Sequence, residues 1–347
     1  MKERVHYIDN LRWITVFLLI LYHACMAYNT WDEANYIFFV PDKMLSAVIV
    51  FISPWFMPLM FLLAGASSFF SLSKRGFARF IKERFTRLGI PLAVGLIVIN
   101  PVLSYIADVT HNGYEGDFFE HYKVFFTRFT DLSGYDGGFA LAHLWFLLVL
   151  IVISLISCVF IKLIPDNETA IRITGIVLTV LGVACFDVKL LGKPLITYLC
   201  VYLLGYYFFS KKEFVKKASS FRLQFAGIFI IVAVTNAVLF VNSCGFALLN
   251  NICNYSCLIF GVLTAVSIGY CYLDTTSGFM SFNSKISYLF YIIHFPAVVL
   301  CQYFLSLTGM NPLVNFVLTL VISYPVTYLL CAGYSKVRSS AIADRNK

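Results

Sequence analysis

At 347 residues, 60% hydrophobic and only 13% charged, the chain is far below the roughly 25% charge of soluble proteins, and a soluble fold is excluded. Its net charge of +8 does not point to nucleic acid, because the basic residues fall between apolar runs. Nor do its ten cysteines form a disulfide framework: Cys25, Cys158, Cys200, Cys257, Cys271, Cys301 and Cys331 lie inside those runs, where cysteine acts as a small hydrophobe.

Ten segments are apolar and long enough to predict membrane-spanning helices, near 11–28, 45–72, 88–107, 141–161, 173–186, 195–210, 223–243, 251–273, 287–304 and 312–334. The fold class is therefore all-α, a polytopic bundle forming one domain over 1–347. The first segment lacks a small-residue cleavage site and reads as a span, not a signal peptide.

That segment carries the most informative spacing. Arg12 and His23 are eleven residues apart, about three helical turns and roughly 16 Å of rise, so they share one face. An ionisable residue inside a span is costly and is a functional candidate by default. Imidazole near neutrality suits general-base work on a hydroxyl, and burial keeps it in the neutral form a base needs. For His23 the competing reading is packing; for Arg12 it is a positive-inside anchor at a span end. Asp9, three residues before Arg12, is placed to orient it.

The second span contains Pro54 and Pro58, which predict a kink. A basic stretch follows. Lys74, Arg75 and Arg79 read as contacts to anionic lipid headgroups. Arg84 and Arg87, at the mouth of the third span, are three apart and predicted on one face, where their planar donor forks suit phosphate. Asn100-Pro101 lies inside the third span. The long loop 108–140 carries Asp108, Glu115, Asp117, Glu120, Asp131 and Asp136, and Phe118–Phe129 predicts a short helix lying on the membrane.

His143 opens the fourth span, beside Trp145, a residue of interfacial belts. His294 lies mid-span just before Pro296, where it is expected to repair the backbone groups the proline frees. Cys244 and Cys253 flank a short loop and pair if that loop meets an oxidising side. No metal-ligand set, P-loop or GxSxG occurs.

With the N-terminus in the cytoplasm and ten spans alternating, inside segments hold 21 of the 26 Lys and Arg residues, from Lys2, Arg4 and Arg12 through to Lys336, Arg338, Arg345 and Lys347. The positive-inside rule thus puts both termini in the cytoplasm.

The runs IDNLRWITVFLLILYH, PLMFLLAGASSFFSLSKRGFARFIKERFTRLGIP, HLWFLLVL and SYLFYIIHFP, in this order, resemble the acyltransferase-3 family of integral membrane proteins. That group includes periplasmic-glucan succinyltransferases and surface-polysaccharide O-acetyltransferases. The resemblance covers nearly the whole chain. It implies transfer of an acyl group from cytoplasmic acyl-coenzyme A, as co-substrate with no tightly bound cofactor, to a hydroxyl of an extracytoplasmic carbohydrate. His23 is then the expected catalytic base. Arg12, Arg84 and Arg87 are expected to bind the donor, with Asp9, His143, Trp145 and His294 supporting the acceptor side. The alternative is a multi-span transporter or flippase for a glycan or lipid-linked sugar. Against it stands the lack of intramembrane carboxylates, which proton relays favour.

Overall fold

The computed structural model describes residues 5–31, 33, 35–130, 132–164, 167–183 and 188–345. Lys2, Arg4, Asp131 and Lys347, named above, lie outside the described residues. The fold is almost entirely helical, with a single two-stranded pairing of Lys189–Leu190 and Lys193–Pro194 among the described residues. All ten predicted segments fall largely on helix where they are described; residues 184–186 of the fifth lie outside the described residues. Among the described residues seven helical stretches are long and apolar enough to cross a membrane, one of them a run of 70 residues from Lys43 to Asn112.

In chain order the helices are α1 (His6–Met26), α2 (Lys43–Arg84), α3 (Ile90–Val98), α4 (Asn100–Asn112), α5 (Phe118–Thr127), α6 (Trp145–Leu163), α7 (Glu168–Val183), α8 (Leu195–Leu204), α9 (Lys212–Ser219), α10 (Arg222–Val241), α11 (Ala247–Tyr272), α12 (Gly278–Ser306) and α13 (Pro312–Arg345). Two short π-helices, Phe85–Gly89 and Gly205–Phe209, follow α2 and α8. The non-helical backbone inside α2 falls at Gly76 (φ 71°), not at Pro54 or Pro58. Glycine adopts that positive φ without steric cost, whereas each proline removes one hydrogen bond and leaves a helical backbone otherwise intact.

The chain forms two compact units. The first comprises Met1–Leu11, Val50–Val94 and Leu144–Thr275. Within it α10 packs on α11 and α7 on α8. The start of α1 is tied down by Asp274, whose carboxylate accepts from the amides of His6 and Tyr7 at 2.9 and 3.1 Å. Helices α2 and α8 approach backbone to backbone. A Cβ on Gly65 would lie 1.9 Å from the Tyr202 carbonyl oxygen, and one on Gly205 2.1 Å from that of Leu62. Small residues permit this closeness, as is usual between spans. Cys244 and Cys253 do not pair; both are free thiols.

The second unit comprises Arg12–Ile49, Gly95–His143 and Thr276–Lys347. Here α12 packs on α13. The body of α1 is held by Phe17 stacked on Phe290 at 4.1 Å and by the Tyr324 hydroxyl donating to the Phe17 carbonyl at 2.9 Å. A core of Tyr36, Ile37, Leu103, Ile106, Ala107, Phe295 and Val299 joins α4 and α12 to the segment after α1.

The 108–140 loop is folded. Asp117 caps α5 by accepting from the amides of Phe119 and Glu120, which sets the predicted helix at Phe118–Thr127. Asp108 is the centre of the loop. Its buried carboxylate meets His121 Nε2 at 3.0 Å, Arg128 at 3.3 Å and the Asn112 amide at 2.7 Å. Asn100 donates to the Ala140 carbonyl at 2.7 Å and Ser104 to that of Gly138 at 2.8 Å, pinning the far end of the loop to α4.

Candidate functional site

The eleven-residue step is realised on unbroken helix: Asp9, Arg12 and His23 all lie in α1. Asp9, Arg12 and His23 are each half-buried.

In the second unit three histidines far apart in sequence come together. The His23 ring lies 5.3 Å from that of His294, and His294 lies 5.4 Å from His143. Phe295 is their shared apolar wall, 4.3 Å from the His23 ring and 5.2 Å from that of His143. Phe295 also meets Tyr36 at 5.6 Å, which joins the cluster to the core of α4, α12 and the segment after α1. Among the described residues no three His, Cys, Asp or Glu side chains are placed to hold one metal ion.

Hydrogen bonds fix two of the imidazoles. Pro296 has no amide hydrogen, so the carbonyl four residues earlier, that of Ile292, loses its helical donor. His143 takes that place, with Nε2 2.9 Å from the Ile292 oxygen. The repair expected of His294 thus falls to His143. His294 instead meets its own turn, with Nδ1 2.7 Å from the Tyr291 carbonyl. The Tyr291 hydroxyl donates to the His143 carbonyl at 2.5 Å, closing a link between α12 and the residues before α6. The same logic holds at Pro101, whose freed carbonyl, Ile97, accepts from the Tyr122 hydroxyl at 2.9 Å. Asn100 itself bonds the Ala140 carbonyl at the end of the 108–140 loop.

A carbonyl can only accept, so His143 carries its hydrogen on Nε2 and His294 on Nδ1. The remaining nitrogens, His143 Nδ1 and His294 Nε2, are buried and have no hydrogen-bond partner. His143 is 5% exposed and His294 fully buried. Buried polar atoms without partners are uncommon and call for a ligand or an ordered water.

The basic motif is in the first unit, and its two arginines part company. Arg84 turns toward α2 and donates from Nη2 to Ser68 Oγ at 2.5 Å, with its guanidinium 4.5 Å over the Phe80 ring. The Tyr202 hydroxyl donates to the same Ser68 oxygen at 2.6 Å. Arg87 is 70% exposed and lies 3.6 Å from Glu83, which also holds Arg75 and Arg79. The expected shared face fails because a π-helix begins at Phe85: its wider turn places residues three apart in different directions. Arg84 Nε is buried and without a partner.

Trp145 belongs to the first unit, stacked 6.1 Å from Tyr198 with Lys193 Nζ 5.2 Å over its ring. His121 escaped the sequence analysis altogether. Nothing local marks it, because its partner Asp108 sits on another helix.

These features define a multi-pass helical membrane protein with a buried imidazole cluster. A family model described as an acyltransferase domain matches residues 5–332, and the chain belongs to this acyltransferase-3 family. No curated protein and no solved structure matches it. The matched range takes in nearly all of both units.

Proposed function

We propose that this membrane acyltransferase moves an acyl group, of acetyl or succinyl type, from a cytoplasmic acyl-coenzyme A to a hydroxyl of an extracytoplasmic cell-envelope carbohydrate. The observation that carries the reading is the gathering of His23, His143 and His294, which puts the half-buried His23 beside a second imidazole and the Phe295 ring. In the reaction the acceptor oxygen attacks the thioester carbonyl carbon and forms the new ester bond. Its proton passes to His23, the carbon–sulfur bond breaks, and the departing thiolate takes the proton as coenzyme A. The assignment of Arg12, Arg84 and Arg87 to the anionic head of the donor belongs to the same proposal. Arg84 supports it with a buried donor atom still unspent. Both termini are taken as cytoplasmic, as the distribution of basic residues suggests.

The test uses purified protein in lipid nanodiscs, labelled acetyl- or succinyl-coenzyme A, and oligosaccharides released from the host envelope. Labelled oligosaccharide is expected from the native chain. His23→Ala should lower the rate by about 10²–10⁴. A folded His23→Ala protein with full activity would remove His23 as the base, and transport of an unmodified glycan would favour a carrier instead.

A further inference from the structure

Two bare imidazole nitrogens, buried on neighbouring rings that backbone carbonyls hold by their opposite nitrogens, have a specific chemical meaning. His143 Nδ1 and His294 Nε2 present lone pairs and no hydrogen, since Ile292 and Tyr291 hold the hydrogens of the opposite nitrogens. The rings stand 5.4 Å apart, centre to centre, at 88°. Each lone pair requires a hydrogen-bond donor, because leaving a buried acceptor unmatched costs free energy. The surroundings are aromatic: Phe295 and Tyr291 flank the His143 ring at 5.2 and 5.8 Å. Both nitrogens are buried, and burial penalises a charged donor more than a neutral one. A neutral donor carrying two hydroxyls matches two such acceptors in chemistry.

We infer that His143 and His294 form a paired hydroxyl-binding site, which takes a neutral polyol by accepting hydrogen bonds from two of its hydroxyls. The inference rests on the acyltransferase reading only for the identity of that polyol as the carbohydrate acceptor. His23 removes the proton of the reacting hydroxyl. His143 and His294 are positioning residues that present the sugar to it. Such a site recognises a hydroxyl pattern and leaves the rest of the sugar unread. Selection thus depends on at least two free hydroxyls, and an acceptor with one of them blocked loses half of its anchoring.

Two measurements test this. The first needs no turnover. The protein is labelled with ¹⁵N-histidine in nanodiscs, and nitrogen shifts are recorded with methyl α-glucoside and with its fully O-methylated analogue, each at high concentration. The expected result is Nδ1–H for His294, Nε2–H for His143, and a shift of the two bare nitrogens on adding the free sugar but not the methylated one. The opposite tautomers, or equal responses to both sugars, would overturn the site.

The second measurement uses turnover with envelope oligosaccharides. His143→Phe and His294→Phe keep a ring and remove the lone pair, whereas His143→Gln and His294→Gln keep an acceptor oxygen. The phenylalanine variants should raise the acceptor KM by about tenfold or more with the donor KM within about twofold, and glutamine should recover part of the loss. Equal changes in both KM values, or none, would reduce the pair to packing. Should a phenylalanine variant not fold, the nitrogen shifts of the native chain decide. Absence of any acyl transfer by the native chain refutes the enzymatic reading, while the sugar-dependent shifts still judge the hydroxyl site.

Discussion

His143 Nε2 lies 2.9 Å from the Ile292 oxygen, the carbonyl that Pro296 leaves without an amide donor. A helix defect in α12 is thereby converted into a clamp on a side chain far earlier in the chain. Replacing Pro296 with alanine restores an amide hydrogen able to bond Ile292 along the helix. The released His143 then loses its fixed tautomer. Pro296→Ala should lower acyl transfer by about tenfold while thermal stability holds or rises. Turnover and a melting curve on the same preparation check this; unchanged turnover would show that the clamp has no catalytic consequence.

Arg84 depends on Ser68, and Ser68 on Tyr202. Tyr202→Phe removes one donor from the Ser68 oxygen, and Ser68→Ala removes the acceptor of Arg84 altogether. Both should raise the donor KM, Ser68→Ala by roughly tenfold or more and Tyr202→Phe by less, with acceptor KM unchanged. Arg87 is exposed and ion-paired at the surface, so Arg87→Lys should cost under about threefold where Arg84→Lys costs much more. Equal sensitivity of the two arginines would contradict their divergence.

The Asp108 cluster predicts a pH response of the segment around α5. Burial holds the His121 imidazole below its ordinary value; the Asp108 carboxylate opposes this, and Arg128 adds to the lowering. A histidine depressed in the fold binds fewer protons than in the unfolded chain, so its stabilisation is complete above the unfolded value of about 6.5 and declines as pH falls below it. The groups facing His121 are Asp108, Arg128, Tyr105 and Tyr114. Hydrogen exchange over 117–128, corrected for intrinsic rates, should show less protection at about pH 5.5 than at about pH 7.5, and His121→Asn should flatten the difference. Equal protection at both pH values in the native chain would refute the coupling.

Glycine at 65 and 205 is demanded by contact. Gly65→Ala and Gly205→Ala place a methyl within 1.9 and 2.1 Å of backbone oxygens, and each should destabilise by on the order of 2 kcal/mol or more. Gly227 in α10 faces open space, with no atom within 4 Å of where a methyl would sit, so Gly227→Ala should be neutral or mildly stabilising. Thermal unfolding in detergent separates the two classes, and similar losses at all three sites would argue against the close approach.

The helical architecture was legible in the sequence because membrane spans are written in composition: long apolar runs leave the backbone few alternatives. The Arg12-to-His23 step was equally legible, since both ends lie on one helix. The rest is non-local or alters no residue type. A π-helix at 85–89 changes hydrogen-bond partners without changing hydropathy, so the Arg84 and Arg87 spacing misled. His143 meets His294 only through tertiary packing. The carbonyl freed by Pro296 was foreseeable, but which side chain would reach it was not. Asp108 and His121 were hidden for the same reason: each looks ordinary beside its own neighbours.

The bare backbone seam between Gly65 and Tyr202, repeated at Leu62 and Gly205, has a mechanical consequence. Two helices locked main chain to main chain cannot slide past one another by exchanging side-chain rotamers, as ordinary packed helices do. They move as one strut. Ser68, one turn beyond Gly65, and Tyr202 sit on the two helices that this seam joins, so Arg84 is bonded at the seam itself.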